Sequence, residues 1–316
     1  MGKNFKRNVV FVLAGALLGN VFNLLCQLLL AHRLVPADFA VFNALLSIFT
    51  VVFAPLSTLQ TAVVKYTADF NSKNDFDGIR ALLSGVLKVV FAIALCLTVV
   101  LWMNSSYFVR ELKIPSLNSF YILVLIVFAS VFSPVFLGGA QGMERFGWII
   151  SASLTGSVLK LALIFILLQW GWGINGALWA FAVSAFTVTA VGFVPVRKFL
   201  TLRRIVTAVP YRDFVMFFFP VAVSLFCFTG LVNLDMVLVK HFFAPEAAGV
   251  YSLAQMVGKI FLFLPAAIII VLFPRTAGLN ARNQDTRGTL RQSLMLAAVL
   301  CAAAGVFYNL FPGFVL

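Results

Sequence analysis

Two lysines stand where a membrane-spanning chain is least tolerant of charge. Lys160 and Lys259 each fall near the middle of a long apolar run. An unpaired charge at the centre of a bilayer costs about 2.5–3.5 kcal/mol on insertion scales. Each lysine ends a polar stripe: Ser153, Ser157 and Lys160 in one run, Ser252, Gln255 and Lys259 in the other. Spacings of three, four and seven put each set on one helix face. Asn20, Asn23 and Gln27 repeat the pattern near the N-terminus, and Asn43, Ser47 and Thr50 repeat it in the next run. Cations and amides on facing helices can line a watery cavity and hold an anionic, hydroxyl-bearing substrate. The same stripes can also serve as glue between helices. Lys88, closer to a helix end, reads as a lysine whose head reaches the interface. Arg33 and Asp235, at the outer ends of two runs, are candidates for gating or pairing across the cavity, or plain interfacial charges.

The elements that must carry these residues are transmembrane helices. The chain of 316 residues is 62% hydrophobic and only 10% charged, where a soluble chain has about 25% charged residues. Nine apolar runs are each long enough to cross about 30 Å of hydrocarbon as a helix: 9–31, 39–64, 81–103, 117–137, 147–169, 174–195, 214–238, 247–272 and 290–311. None alternates as a transmembrane strand would. The expected fold is an all-α polytopic membrane protein. The first run is too long for the core of a signal peptide and is read as a retained helix.

Lysine and arginine set the orientation. The ends and loops before run 1 and after runs 2, 4, 6 and 8, with Arg291 at the very start of run 9, hold 16 of the 23 basic residues, among them Lys65, Lys73, Arg80, Arg145, Arg197, Lys198, Arg203, Arg204 and Arg212. The alternate loops hold Arg33, Arg110, Lys113 and Lys240. The N-terminus is therefore expected in the cytoplasm. The net charge of +13 is mainly this topology signal, and its spread over short loops argues against nucleic acid as a partner.

A faint internal repeat organises the runs. His32-Arg-Leu-Val-Pro36 returns as His241-Phe-Phe-Ala-Pro245, and Phe42 falls on Tyr251, all at an offset of 209 residues. The same offset places Asn43 on Ser252 and Thr50 on Lys259. One unit then covers six spans, so two parallel lobes related by an axis along the membrane normal are expected. The expected division is a six-helix lobe at 1–198, a basic cytoplasmic linker at 199–213, and a partial lobe of three helices at 214–316. Half of the second lobe being absent, the chain reads as part of a parent with twelve or more spans; a complete nine-span protein is the alternative.

The loops restrict the chemistry. The longest run to 16 to 18 residues, too few for a catalytic domain, and no phosphate-binding glycine loop of the nucleotide-hydrolase type occurs. Cys26, Cys96, Cys227 and Cys301 lie inside spans without metal-ligand spacing, so packing is their expected role and no cofactor or metal is expected. Gly171-Trp-Gly-Ile-Asn-Gly176 reads as a tight turn with an interfacial Trp172. An enzyme is not expected.

Three segments carry a family resemblance: Ala31 to Phe42, Leu137-Gly-Gly-Ala-Gln-Gly-Met-Glu-Arg-Phe146, and Asn233 to Ser252 followed by Leu264-Pro-Ala-Ala and Leu272-Phe-Pro274. In their order and positions the chain resembles the oligosaccharide flippases of polysaccharide biosynthesis, the O-antigen and capsule exporter type. These share a superfamily with lipid II flippases and multidrug MATE antiporters. The resemblance implies alternating access and transfer of an undecaprenyl-pyrophosphate-linked oligosaccharide across a bacterial or archaeal cytoplasmic membrane. It implies as partners that lipid-linked substrate, the bilayer, and polysaccharide polymerase or assembly proteins. Lys160 and Lys259 would draw the pyrophosphate; Asn20, Asn23, Gln27 and Gln255 would bond sugar hydroxyls. Lipid II flippases are known for arginines in the first span, whereas this one has amides and an edge Arg33, which makes lipid II the weaker substrate. A MATE-like antiporter would use an intramembrane carboxylate, and only Asp235 approaches that role. A membrane-bound glycan polymerase or ligase would need a larger outer loop.

Overall fold

The computed structural model describes residues 3–200, 211–256, 258–259 and 287–310. Among them there is no strand. The helices are α1 (Lys3–Arg33), α2 (Pro36–Ser72), α3 (Phe76–Met103), α4 (Ser105–Glu111), α5 (Leu117–Val131), α6 (Ser133–Gly142), α7 (Phe146–Gln169), α8 (Gly173–Val196), α9 (Tyr211–Phe242) and α10 (Arg287–Leu310), with a short 3-10 turn at Arg197–Phe199. Residues 245–256 are also helical. The protein is an all-helical polytopic membrane protein.

Six stretches among the described residues are long and apolar enough to cross a membrane: Pro36–Ser72, Phe76–Met103, Leu117–Gly142, Phe146–Gln169, Gly173–Phe199 and Arg212–Phe242. They coincide with the second to seventh expected spans. The first expected span lies on α1 and the ninth on α10. The eighth, 247–272, falls largely outside the described residues, so the expected count of nine is not confirmed.

The chain forms two compact units, Met1–Ala248 and Gly249–Leu316. The expected linker falls inside the first unit, with 201–210 outside the described residues. In the first unit the helices meet through small residues, as membrane helices do when no hydrophobic gain separates protein contact from lipid contact. A Cβ on Gly15 of α1 would lie 2.7 Å from Ile150 of α7, and one on Gly19 would lie 3.2 Å from Ser153. Gly156 of α7 lets α8 approach until Ser184 Oγ donates to the Gly156 carbonyl at 2.9 Å. Thr189 of α8 donates to the Ala129 carbonyl of α5 at 2.8 Å. Large side chains such as Leu231, Met103, Trp102 and Met216 point outward, fully at home in a lipid solvent.

Leu137–Phe146 is explained as packing. Gly138 and Gly142 of α6 lie against α2: a Cβ on Gly138 would meet Gln60 and Val63 at 3.0 and 3.1 Å, and one on Gly142 would meet Thr67 at 2.6 Å. Gln60 donates to Gln141 at 3.3 Å. Glu144 turns the chain at φ +58°, and Arg145 Nη1 donates to the Pro195 carbonyl at 2.7 Å. The span expected as one helix at 117–137 is divided at Phe132, where Pro134 enters at the first turn of α6 and removes a backbone donor.

The repeat reappears in the backbone. Leu34 N–H bonds the Leu30 carbonyl at 2.9 Å, and 209 residues later Phe243 N–H bonds the Val239 carbonyl at 3.0 Å. Phe39 N–H bonds Val35 at 3.0 Å, and Ala248 N–H bonds Ala244 at 2.9 Å. In both copies a proline, Pro36 or Pro245, begins the following helix, where its missing N–H costs nothing.

Candidate functional site

α1 and α7 present their polar stripes to each other. Ser153 and Ser157 sit across from Gly19, and Lys160, one turn on, donates from Nζ to Asn23 Oδ1. The ammonium also lies 4.5 Å from the ring centre of Phe181 on α8. Phe181 is held in turn by an edge-to-face contact with Phe42 of α2, centroids 5.3 Å apart. Lys160 is nine residues from the C-terminal end of α7, or about 14 Å along the axis, and Asn23 is ten residues, about 15 Å, from the C-terminal end of α1. The two therefore share a depth well inside the helices.

Lys160 is half-buried and its recognised partners are neutral. None of the three ion pairs among the described residues includes it. An amide oxygen and a ring face stabilise the ammonium without cancelling its charge. Gln27, the next stripe residue on α1, has a buried Oε1 with no hydrogen-bond partner among the described residues. Asn20, on the other side of Asn23, is exposed. The sequence marked Asn23, Gln27 and Lys160 as members of polar stripes, and the structure brings Asn23 and Lys160 together. The sequence reading missed Phe181, which no pattern separates from the other 34 phenylalanines.

Other expected site residues lie elsewhere. Arg33 and Asp38 share the wall of a cavity of about 280 Å³ with Phe165 and Gln169, at the C-terminal ends of α1 and α7 and the start of α2. Asp235 is half-buried on α9. Gln255 and Lys259 stand on helical residues of the second unit.

α9 packs along α2 in the opposite direction. Met236 and Val239 meet Ala40 and Ala44 near one end, and Phe214 meets Tyr66 at the other, ring centroids 5.5 Å apart. Where the C-terminal end of α9 meets the start of α2 lies a cluster that sequence reading did not foresee. Lys240, read as a loop residue, is 1% exposed inside the last turn of α9. Its charged neighbours are Lys113, Asp38 and Glu246. His241 Nδ1 lies 3.2 Å from Glu111 Oε2, and Lys113 Nζ donates to the Phe243 carbonyl at 3.0 Å. The α4–α5 segment is thereby tied to the end of α9.

The sequence profile of the family described as "Polysaccharide biosynthesis protein" matches residues 5–279. The chain belongs to this family. No curated protein matches it significantly. Solved structures extend the family's fold. An outward-facing multidrug resistance MATE family transporter of the MOP superfamily aligns with TM-score 0.70 and 19% identity over 98% of this chain and 72% of its own. An inward-facing structure of a MATE family transporter aligns at 0.69 and 18%, over 94% and 71%. A MATE structure in a bent conformation aligns at 0.63 and 16%, over 98% and 73%. At these identities the likeness establishes the fold alone.

Proposed function

We propose that this family member is a flippase that carries a lipid-linked oligosaccharide across the cytoplasmic membrane by alternating access. The observation that carries the reading is Lys160: a cation deep in the first unit, held in place by Asn23 and Phe181 and balanced by no carboxylate among its recognised contacts. Such a group attracts an anion, and a pyrophosphate offers the charge and the acceptor oxygens to match. Gln27, with a buried acceptor in reach of the same face, suits a sugar hydroxyl. Lys259 and Gln255 supply the corresponding groups in the second unit. Asn20 extends the amide stripe, and Arg33 with Asp38 would sense the lipid headgroup as it leaves. The lipid tail stays in the bilayer beside the helices. The membrane potential or an ion gradient would drive the uphill steps.

The second reading is an ion-coupled multidrug antiporter, and the similarity to MATE structures favours it. A cation-drug exporter needs an acidic cavity, whereas the observed interior group is basic. Proteoliposomes holding the protein decide between them. A fluorescent undecaprenyl-pyrophosphate oligosaccharide should move between leaflets while a cationic dye is not extruded. Dye extrusion with no lipid movement would reverse the assignment.

A further inference from the structure

A second candidate cavity of the first unit lies away from Lys160. It measures about 570 Å³, within the range of small-ligand sites, and lies between the first turns of α5 and α8. Its wall holds the three aromatic side chains Tyr121, Trp172 and Trp179 and the two amides Asn118 and Asn175. No charged residue lines it. The aromatics show much of their surface: Trp172 is 50% exposed and Tyr121 40%.

The parts are held in place from behind. Ser119, fully buried, donates to Asn175 Oδ1 at 2.7 Å, which fixes the amide and leaves its NH2 hydrogens for another partner. Trp172 is presented by a turn whose two flanking glycines, Gly171 at φ +77° and Gly173 at φ +50°, adopt backbone angles that other residues resist. Trp172 N–H bonds the Leu167 carbonyl at 3.1 Å and anchors that turn to the end of α7. The glycine-rich segment 171–176 is therefore a mount for an indole as well as a connection.

We propose that this cavity is a binding site for a neutral sugar. Pyranose rings have C–H faces that carry small positive charge and fit the negative faces of aromatic rings, while their hydroxyls pair with amides. A phosphate would need a cation here, and none lines the wall. A quaternary ammonium would find rings but would gain nothing from amide hydrogens. Both helix ends lie opposite the basic loops, so the site stands at the outer interface, where the sugar head of a membrane glycolipid would be met. It is separate from the Lys160 site, and each can fail without the other.

The test uses the protein in nanodiscs of phosphatidylethanolamine and phosphatidylglycerol, with Trp102, Trp148 and Trp170 changed to Phe so that Trp172 and Trp179 report. Monoglucosyldiacylglycerol is raised in mole fraction, with maltotriose as the free-sugar arm and phosphatidylcholine as the choline arm. The expected result is a saturable fluorescence change with the glycolipid. A response to maltotriose as well would show that the sugar is read without its anchor. Asn118→Ala, at an exposed position where folding is not at stake, and Asn175→Ala should each weaken the response about tenfold, as for one lost polar contact. Trp179→Phe should retain it. An equal response to phosphatidylcholine, or a glycolipid response unchanged in both asparagine variants, would overturn the proposal.

Discussion

Lys160 on α7 donates a hydrogen bond to Asn23 on α1 across 137 residues of sequence, at matching depth in the two helices. The pair has a structural side and a chemical side. It joins α1 to α7 beside the small-residue contact of Gly19 with Ser153. It also fixes the position of a cation that needs no carboxylate to stay in place. If the bond were glue alone, a neutral donor would serve as well: Lys160→Gln would keep the helices together and keep transport. The flippase account expects Lys160→Gln to fold normally and to lose transport, since the amide cannot replace the charge. Thermal unfolding in detergent alongside a lipid-transfer assay separates the two.

Small residues on α6 set the approach of α2. A Cβ on Gly142 would fall 2.6 Å from Thr67 Cβ and 2.9 Å from the Val64 carbonyl, whereas one on Gly147 meets nothing within 4 Å. Gly142→Ala should therefore destabilise the protein by about 1–3 kcal/mol, in the range of overpacked cores. Gly147→Ala, on the exposed side of α7, should be neutral or slightly stabilising. Melting temperatures of the two variants provide the comparison.

The contact between α4 and the C-terminal end of α9 is expected to act as a latch on the side that the lysine and arginine pattern assigns to the outside. His241 with Glu111, and Lys113 with the Phe243 carbonyl, hold the end of α9 against the α4–α5 segment. Alternating access requires such contacts to part. Glu111→Gln combined with Lys113→Ala should shift the population toward an outward-open state. A cysteine placed at Met236, buried on α9 against Ala40, should then react faster with an externally added maleimide than in the unmodified latch. Equal rates would show that these contacts do not control opening.

Lys240 is a buried charge with acidic neighbours Asp38 and Glu246. Removing one partner of such a group leaves the other uncompensated, which is costlier than removing both. Asp38→Asn and Lys240→Met combined should lower stability by less than the sum of their separate effects. A double-mutant cycle on thermal stability measures the coupling, and simple additivity would contradict it.

Orientation is open to direct labelling. Tyr107 is 63% exposed on α4, and Lys73 lies in the α2–α3 turn at the opposite end of α3. In a cysteine-free background, Tyr107→Cys should react with a membrane-impermeant maleimide on intact cells. Lys73→Cys should react only after permeabilisation. The reverse pattern would invert the topology read from lysine and arginine.

Most of the helical framework was legible because apolar length and basic loops are strong signals in a membrane chain. The polar stripes holding Asn23 and Lys160 were legible too, since polar residues at helical spacing share one face, but that these two stripes meet was not. Lys240 was not. The apolar run ends at 238, but α9 continues to Phe242, so a residue that looked like a loop charge sits within a helix. The repeat held the missing clue: the 209 offset sets Lys240 on Ala31, inside the last turn of α1. The sugar-type cavity was unreadable for a different reason. Asn118, Tyr121, Asn175 and Trp179 come from two helices far apart in sequence, and only their packing side by side makes a site. α4 was missed because its seven residues carry no full hydrophobic period.

The central claim is that the Lys160 charge binds the anionic head of a lipid-linked substrate. It is tested most directly by reconstituting the unmodified protein, Lys160→Arg and Lys160→Ala at equal density and measuring transbilayer transfer of an undecaprenyl-pyrophosphate oligosaccharide. The account predicts that Lys160→Ala loses about tenfold or more, as for a lost charged hydrogen bond, and that Lys160→Arg keeps a substantial part. Transfer by Lys160→Ala at the rate of the unmodified protein would contradict it.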